Sequence, residues 1–311
     1  TTHFNMGAME NKGLNIFNTK FILANPKTAT DTDFINVLRV VGHEYFHNWS
    51  GNRVGCRDWF QLSLKEGFTV FRDQSFTGDM TSEPVKRIED VNLLRTMQFR
   101  EDAGPMSHPI RPASYIEINN FYTLTVYEKG AEVIRMMYTL LGADKFRKAT
   151  DLYFSKFDGQ AVTTDDFVDC MQEAGGIDLT HFRRWYSQSG TPKVTVTDSY
   201  DAASRRYSLH VKQVTEPTAD QKQKLPLHIP LRMGLLTAAG RELPLKLITD
   251  AAEGDVTRVL NVTGAEQTFE FVNVPEHPTP SLLRSFSAPV KLDYAYTDDQ
   301  LQLLLKHDSD A

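Results

Sequence analysis

Hydrophobic residues in the first two thirds of the chain recur at spacings of three and four, which is typical of helices that bury one face. The first such run begins at Asp31, has its apolar positions at Phe34, Leu38, Val41 and Tyr45, and is expected to end at Ser50-Gly51, where glycine tolerates a left-handed turn. Further helices are predicted over Leu64 to about Gln74, from near Glu83, and over Glu128–Leu141, Ala143–Phe157 and Thr164–Gly175. The segment up to about Gly190 is therefore predicted to be mainly α-helical.

The pattern then changes to alternating apolar and polar positions, which is typical of half-buried strands. It occurs in VTVTDSYDAASRRYSLHVKQV, and similar stretches follow in LPLHIPLRMGLLT, RELPLKLI and QTFEFVNV. These short strands predict a β-sandwich from Lys193 to Leu292. The closing stretch TDDQLQLLLKHDSDA predicts the start of another helix, with Thr297 or Asp298 as its N-cap and no core to pack against. The fold class is thus α+β, with domains at 1–192, 193–292 and 293–311.

Composition narrows the possible functions. The 311 residues are 41% hydrophobic and carry a formal charge of −6 without a dense stripe of Lys and Arg, which argues against nucleic acid or an anionic membrane as a partner. No apolar run approaches the ~20 residues that a membrane-spanning helix needs. Cys56 and Cys170 form no C-x-x-C pair and are predicted to be buried thiols in a reducing compartment. These features predict a cytoplasmic protein, which we expect to be a monomer.

The stretch HEYFHNW contains the strongest candidate chemistry. His43 and His47 are four residues apart, so on a helix their imidazoles lie on one face and can bind one ion, while Glu44 is offset beside them. This H-E-x-x-H arrangement is typical of zinc sites in which the glutamate acts as a general base instead of binding the metal. A short pattern of this kind also arises by chance, and a polar turn in an ordinary helix is the alternative.

A catalytic zinc site usually has three protein ligands and one open position, so a third ligand is expected downstream. Glu66 in LSLKEGF, nineteen residues after His47, is the candidate. The alternative is that Ser63 and Glu66 form a capping box at the start of a helix. Asp73 lies two helical turns beyond Glu66 and could support a ligand histidine from behind, although it could equally be a surface acid.

These residues also occur with a second motif. His43-Glu44-x-x-His47, eighteen intervening residues and Glu66 are preceded by Gly7-Ala8-Met9-Glu10-Asn11, and the two motifs together resemble the M1 family of gluzincin aminopeptidases. The resemblance covers nearly the whole chain, although Lys65 stands where many members have asparagine. It implies a thermolysin-like, mainly helical zincin catalytic domain followed by a β-sandwich. It also implies a fragment that lacks the N-terminal β-domain and most of the C-terminal helical domain.

The resemblance implies a role for each matching residue. One zinc ion per chain would be bound by His43, His47 and Glu66, and Glu44 would be the general base. Glu10 would bind the free amino group of a peptide, and Gly7 and Ala8 would offer backbone groups within the block that Met9 and Asn11 complete. Tyr127 matches the tyrosine that stabilises the oxyanion, although its sequence alone suggests a core aromatic. Tyr122 and Met6 match residues that line the pocket for the first side chain.

The predicted function is a zinc aminopeptidase acting on peptides with a free N-terminus. A thermolysin-like endopeptidase would share the zinc motif but would need no amine-binding block such as Gly7–Asn11. A non-catalytic peptide-binding zincin would not need a base at Glu44. An added epoxide hydrolase activity is a third alternative, which LKEGF and the β-sandwich make less favourable.

Overall fold

The computed structural model describes residues 3–252 and 254–310, and it has the mixed helix and sheet content of the predicted α+β class. The chain divides into two compact units, the first ending at Ser189 and the second beginning at Gly190. The predicted domain boundary at 192/193 stays a prediction, and the predicted ends at Thr1 and Ala311 lie outside the described residues.

The first unit is mainly helical. Its elements in chain order are β1 (Ala8–Met9), β2 (Ile16–Phe17), α1 (Asp31–Phe46), β3 (Gly55–Cys56), α2 (Leu62–Met80), α3 (Glu83–Leu93), α4 (Phe99–Ala103), α5 (Gly130–Leu141), α6 (Ala143–Phe157), β4 (Ala161–Val162), α7 (Thr164–Gly175) and α8 (Arg184–Ser187). Helix α2 packs against α1, α3, α5 and α7. It is therefore the central helix of this unit.

Helix α1 begins as predicted but ends earlier. Thr30 caps its start in a capping box, in which the Asp33 backbone N–H donates to the Thr30 hydroxyl and the Asp33 carboxylate accepts from the Thr30 N–H. The helix ends at Phe46, with His47 as its C-cap, so the predicted end at Ser50-Gly51 is wrong. The α-helical pattern stops there because the backbone N–H groups of Asn48 and Trp49 donate to the carbonyls of Tyr45 and Phe46, three residues back instead of four.

Helix α2 is longer at both ends than the predicted Leu64–Gln74. It runs from Leu62 to Met80, and its buried positions include the polar residues Asp73, Gln74 and Thr77. Buried polar residues interrupt the apolar pattern on which the prediction rested, because they are held by hydrogen bonds to other buried groups. The predicted end was therefore wrong by six residues.

The remaining helices follow the sequence pattern closely. Helix α3 starts at Glu83, and α6 and α7 have the predicted bounds. The predicted helix from Glu128 instead starts at Thr125, because a π-helical turn over Thr125–Lys129 runs directly into α5. A second π-helical segment, Leu94–Gln98, joins α3 to α4. Single π-turns of this kind are frequent at functional sites.

The second unit contains two sheets. Its elements in chain order are β5 (Lys193–Asp201), β6 (Arg206–Val214), β7 (Ile229–Leu236), β8 (Thr257–Val262), β9 (Glu266–Phe271), β10 (Thr279–Leu282), β11 (Lys291–Asp293) and α9 (Asp298–His307). One sheet has the strand order β10-β7-β8 and the other β11-β5-β6-β9. Strands β5 and β6 form the hairpin that VTVTDSYDAASRRYSLHVKQV predicts, with Val196 opposite Val211.

Two sequence expectations, for RELPLKLI and for Cys56, differ from the structure in detail, whereas the predicted last helix is found. RELPLKLI forms isolated bridges at Glu242 and Leu247 and no named strand, since Pro244 cannot donate to a sheet. Cys170 is buried as predicted, but Cys56 is only half-buried, and its thiol donates to the Gln61 carbonyl. Helix α9 has Thr297 as its N-cap, and the chain just beyond it is held by the sandwich, where Asp308 pairs with Arg284. No helix among the described residues has both the length and the apolar character needed to cross a membrane.

Candidate metal centre

The two histidines of HEYFHNW meet Glu66 where the last turn of α1 lies against α2. The Nε2 atoms of His43 and His47 are 3.0 Å apart, and Glu66 Oε2 lies 3.4 Å from the first and 3.2 Å from the second. Tetrahedral zinc with nitrogen and oxygen ligands at about 2.0–2.1 Å holds those ligands about 3.3–3.4 Å apart. The three atoms are therefore spaced as zinc ligands are.

Hydrogen bonds at the far side of each ring decide which nitrogen faces this centre. His43 Nδ1 lies 2.6 Å from Asp73 Oδ2, and His47 Nδ1 lies 2.8 Å from the Ser50 carbonyl oxygen. Both partners only accept, so Nδ1 of each ring must carry the proton and donate it. The Nε2 lone pairs therefore point towards Glu66.

Two nitrogen lone pairs 3.0 Å apart repel each other unless they share a cation. Burial lowers the pKa of His43, but the hydrogen bonds to Asp73 and Glu66 outweigh burial and raise this pKa to about 10, so the surroundings of the ring favour a positive charge. Glu66 Oε2 is buried within 3.4 Å of both Nε2 atoms. A divalent metal with a preference for nitrogen and oxygen donors fits all three observations.

A second possible group shares one of these histidines. Glu10, Glu44 and His47 also bring one ligand atom each within 4.8 Å of one another. We favour His43, His47 and Glu66 as the metal group, because it has two imidazole nitrogens and the support of Asp73. Glu10 and Glu44 then lie beside the metal position, where water and substrate would bind.

The capping-box alternative for Glu66 is wrong. Helix α2 begins at Leu62, so Ser63 is already inside the helix, and its buried hydroxyl has no hydrogen-bond partner among the described residues. Glu66 instead faces the two histidines and also pairs with Lys65, whose Nζ lies 3.0 Å from Glu66 Oε1. Burial raises the pKa of Glu66, but His47, His43 and Lys65 outweigh it and hold this pKa well below its usual range. Glu66 is therefore ionised and remains a candidate ligand.

Glu44 has the environment of a general base. Its side chain is 5% exposed, and Oε2 has no hydrogen-bond partner within the described part of the chain. Burial, opposed by the charges of His43 and His47, raises its pKa to about 7. A carboxylate with a pKa near neutrality can both take and return a proton.

The Gly7–Asn11 block lies next to this centre. Ala8 and Met9 form β1, which pairs with β2, and Asn52 fixes the following residue by donating to the Glu10 carbonyl at 2.8 Å. The Glu10 carboxylate is paired through Oε1 with Lys65. Burial raises the pKa of Glu10, but Lys65 and His47 outweigh it and lower this pKa. Glu10 is therefore an anion with a carboxylate oxygen within 4.8 Å of a ring nitrogen of His47.

Tyr127 lies in the π-helical turn, beside His43. Its ring stacks on His43 with centroids 6.4 Å apart, so it is not simply a core aromatic. Burial and the nearby Glu66 carboxylate raise its pKa, which keeps the hydroxyl protonated as a donor. Tyr122 is half-buried against Tyr127, with ring centroids 6.3 Å apart, whereas Met6 is 40% exposed. The structure thus brings Tyr127 to the metal position more directly than Tyr122 or Met6.

Some contacts of the site were not predicted from sequence. Lys65, noted only as a departure from asparagine, joins Glu10 to Glu66. Thr69 and Arg72 contact the turn that follows α1, where they meet Ser50. Thr69 and Arg72 are three residues apart on α2 and so share a face with each other, which was the one available sequence signal.

This fold and site together define a class, namely mainly helical domains in which an H-E-x-x-H helix meets a glutamate from a second helix. Sequence comparison identifies the family within this class. The peptidase family M1 domain matches residues 1–186, and a domain of unknown function (DUF3458) with an Ig-like fold matches residues 190–295. The chain belongs to peptidase family M1.

Individual relatives agree with this assignment. Aminopeptidase N of Escherichia coli K12 is 60% identical to this chain, in an alignment that covers 98% of this chain and 34% of the relative. Aminopeptidase N of Haemophilus influenzae is 59% identical, and the alignment covers 97% of this chain and 34% of the relative. The crystal structure of Legionella pneumophila aminopeptidase A in complex with aspartic acid superposes with a TM-score of 0.85 at 36% identity, covering 100% of this chain and 33% of that one. The chain spans about a third of the length of the bacterial relatives it matches.

Proposed function

We propose that this chain contains the metal-binding and amine-binding centre of a zinc aminopeptidase that removes the first residue from peptides. The observation that carries the proposal is the convergence of two Nε2 atoms and a buried carboxylate oxygen within 3.4 Å of one another. The relatives named aminopeptidase support the same conclusion. His43, His47 and Glu66 would be the ligands, with Asp73 fixing the His43 ring.

A zinc ion bound at these ligands would act as a Lewis acid, polarising the scissile carbonyl and acidifying a water molecule. Glu44 would take a proton from the attacking water and return it to the leaving amine, for which a pKa of about 7 is suitable. Tyr127 would donate its hydroxyl hydrogen bond to the oxyanion that forms at the carbonyl.

Glu10 would give the reaction its exopeptidase character. Its carboxylate is occupied by Lys65 through Oε1, and Oε2 would accept a hydrogen bond from the ammonium of the first residue. A peptide whose amine is blocked would lose this charge-assisted hydrogen bond, and internal peptide bonds would be poor substrates for the same reason. We therefore propose peptides with a free N-terminus as substrates, and an aminopeptidase over a thermolysin-like endopeptidase.

Glu44→Gln in the full-length protein tests the assignment of the base. The amide keeps the shape of the side chain but cannot accept a proton, so kcat on an aminoacyl anilide should fall by about 10²–10⁴-fold while bound zinc stays stoichiometric. Glu66→Gln is the matched comparison, because it should lose zinc as well as activity. Unchanged turnover in Glu44→Gln would contradict the proposed function.

A second variant separates the two peptidase alternatives. Glu10→Gln should lower kcat/KM for substrates with a free amine by about 10–100-fold, since a hydrogen bond to a charged group contributes about 1.5–3 kcal/mol. Rates on N-acetylated peptides should be low in both proteins. If the wild-type protein cleaves acetylated peptides internally, and Glu10→Gln does so equally well, the endopeptidase is the better assignment.

A further inference from the structure

The turn that follows α1 holds the second histidine from behind. His47 Nδ1 is 2.8 Å from the Ser50 carbonyl oxygen and 3.2 Å from Thr69 Oγ1. The position of the Ser50 carbonyl therefore determines both the tautomer of His47 and the direction of its Nε2 lone pair. Whatever fixes this carbonyl also fixes the metal-facing nitrogen.

Thr69, on α2, is the first group that fixes the Ser50 carbonyl. Its side chain is fully buried, and Oγ1 lies 2.7 Å from the Ser50 hydroxyl and 3.3 Å from the Ser50 carbonyl oxygen. The threonine hydroxyl thus contacts both polar groups of one residue of the turn. A valine of nearly the same shape would leave these buried groups without that partner, which is costly.

Arg72, one turn further along α2, is the second group that holds this turn in place. Its Nη1 donates to the Phe46 carbonyl at 3.1 Å, at the end of α1, and lies 3.4 Å from the Ser50 hydroxyl. The guanidinium carbon is 4.4 Å from the centre of the Phe46 ring, and the rings of Trp49, Phe68 and Phe154 surround it at 5.7–5.8 Å. A cation at the carboxyl end of a helix is also favoured by the helix dipole.

The environment of Arg72 is unusual because no carboxylate in residues 3–252 and 254–310 makes an ion pair with it. Burial lowers the pKa of Arg72 to about 10, so the group remains charged at neutral pH. A half-buried charge without an ion pair is expensive unless its donors are used elsewhere. Here Nη1 donates to the Phe46 carbonyl at the end of α1 and contacts the Ser50 hydroxyl in the turn behind His47, while aromatic rings surround the guanidinium.

We propose that Thr69 and Arg72 are positioning residues for the metal centre, which hold the Ser50 carbonyl and through it the ring of His47. The proposal rests on the proposed zinc site, but it concerns two residues that touch neither metal nor substrate. Asp73 performs the equivalent task for His43 directly, with its own carboxylate. For His47 the task is divided between a backbone carbonyl and the two α2 side chains that fix it.

The test measures zinc affinity by competition with a chromophoric chelator in the full-length protein. Thr69→Val and Arg72→Met should each weaken zinc binding by about 10–100-fold, the usual effect of losing a group that orients a metal ligand. Thr69→Ser keeps the hydroxyl and should restore affinity to within about threefold of wild type. The visible absorption spectrum of the Co²⁺ form should change in the two damaging variants and stay wild-type in Thr69→Ser.

Val168→Ala controls for lost stability, because Val168 is fully buried in α7 of the same unit. It should lower the unfolding midpoint without changing zinc affinity or the Co²⁺ spectrum. Wild-type affinity in both Thr69→Val and Arg72→Met would overturn the positioning role while leaving the proposed function intact. If the wild-type protein binds no zinc, both proposals fail. Should Arg72→Met not fold, the Thr69→Val and Thr69→Ser pair still decides the matter.

Discussion

At the scale of single residues, the site gathers more acid than its protein cations balance. Glu10, Glu44, Glu66 and Asp73 lie around two imidazoles and Lys65. The two histidines and Lys65 hold Glu66 ionised, whereas burial leaves Glu44 with a pKa of about 7. Neighbouring carboxylates thus differ in pKa because of their surroundings alone, as the proposed ligand and the proposed base require.

Glu128, next to Tyr127, is buried beside the site and gives a test by pH. Burial, helped by the charge of Asp73, raises its pKa to about 7 from an ordinary value of 4.5. Between these values the folded chain binds more protons than the unfolded chain, so this group makes stability fall as pH rises from 4.5 to 7.

Glu128→Gln should therefore stabilise the protein at pH 8 by at most about 3 kcal/mol and have little effect at pH 4.5. Glutamine still offers an oxygen to Gln74 Nε2, which donates to Glu128 Oε2 at 3.1 Å. Urea unfolding at the two pH values measures the effect, with the exposed Glu89→Gln as a control for removing one charge. Equal destabilisation of Glu128→Gln at both pH values would show that the group has no raised pKa.

At the scale of elements, α2 and α5 approach each other through glycine. A Cβ atom on Gly67 would lie 2.8 Å from the backbone carbon of Gly130, closer than real Cβ contacts allow. Gly67 follows the ligand Glu66, and Gly130 follows the π-helical turn that contains Tyr127. The contact between these two glycines therefore sets the distance from Tyr127 to the metal position.

Gly67→Ala should push the two helices apart. Overpacking of this kind costs about 1–3 kcal/mol of stability, and displacement of Tyr127 should lower kcat by about 10–100-fold with a smaller change in KM. The matched control is Gly55→Ala, whose new Cβ would meet its nearest atom at an ordinary 3.6 Å. Thermal unfolding and steady-state kinetics give both quantities; a wild-type kcat in Gly67→Ala would mean that the glycine contact does not position Tyr127.

At the scale of the whole molecule, every side chain assigned to the metal centre comes from the first unit. The second unit has a hydrogen-bond network of its own around the buried Arg284. Arg284 is 3% exposed and donates to Ser281, Thr257, Glu242 and Asp308. Its guanidinium lies against Gly234, where a Cβ atom would come within 2.3 Å of it. Arg284 thus fastens the residue after α9 to the sandwich.

Arg284→Met should destabilise the second unit by about 1–3 kcal/mol, because it removes the charged partner of the half-buried Glu242 and Asp308 and the donor to Ser281 and Thr257. Zinc affinity should not change, since the ligands belong to the other unit. Hydrogen exchange of the strand amides between 193 and 293 reports the first effect, and chelator competition the second. Lys193→Met, at an exposed ion pair with Asp293, should change neither quantity. Zinc loss that parallels faster exchange would show that the two units do not act independently.

The sequence by itself determined the metal ligands proposed here and most of the helices and strands. His43 and His47 could be proposed from spacing because positions i and i+4 on a helix must share a face, and Glu66 because a third ligand was expected downstream. The Gly7–Asn11 block, together with these residues, indicated the family. Alternation likewise predicted the β5–β6 hairpin, because period two and turn residues are local properties.

Only the tertiary structure decided which groups support those ligands. Lys65, Thr69 and Arg72 are ordinary helix positions in the sequence, and their roles arise because α2 lies against the end of α1 and the Gly7–Asn11 block. The same packing buries Asp73 and Gln74, which is why the end of α2 could not be predicted from its apolar pattern. Local periodicity determines which face of a helix is available, whereas contacts between distant segments determine which of its polar groups act.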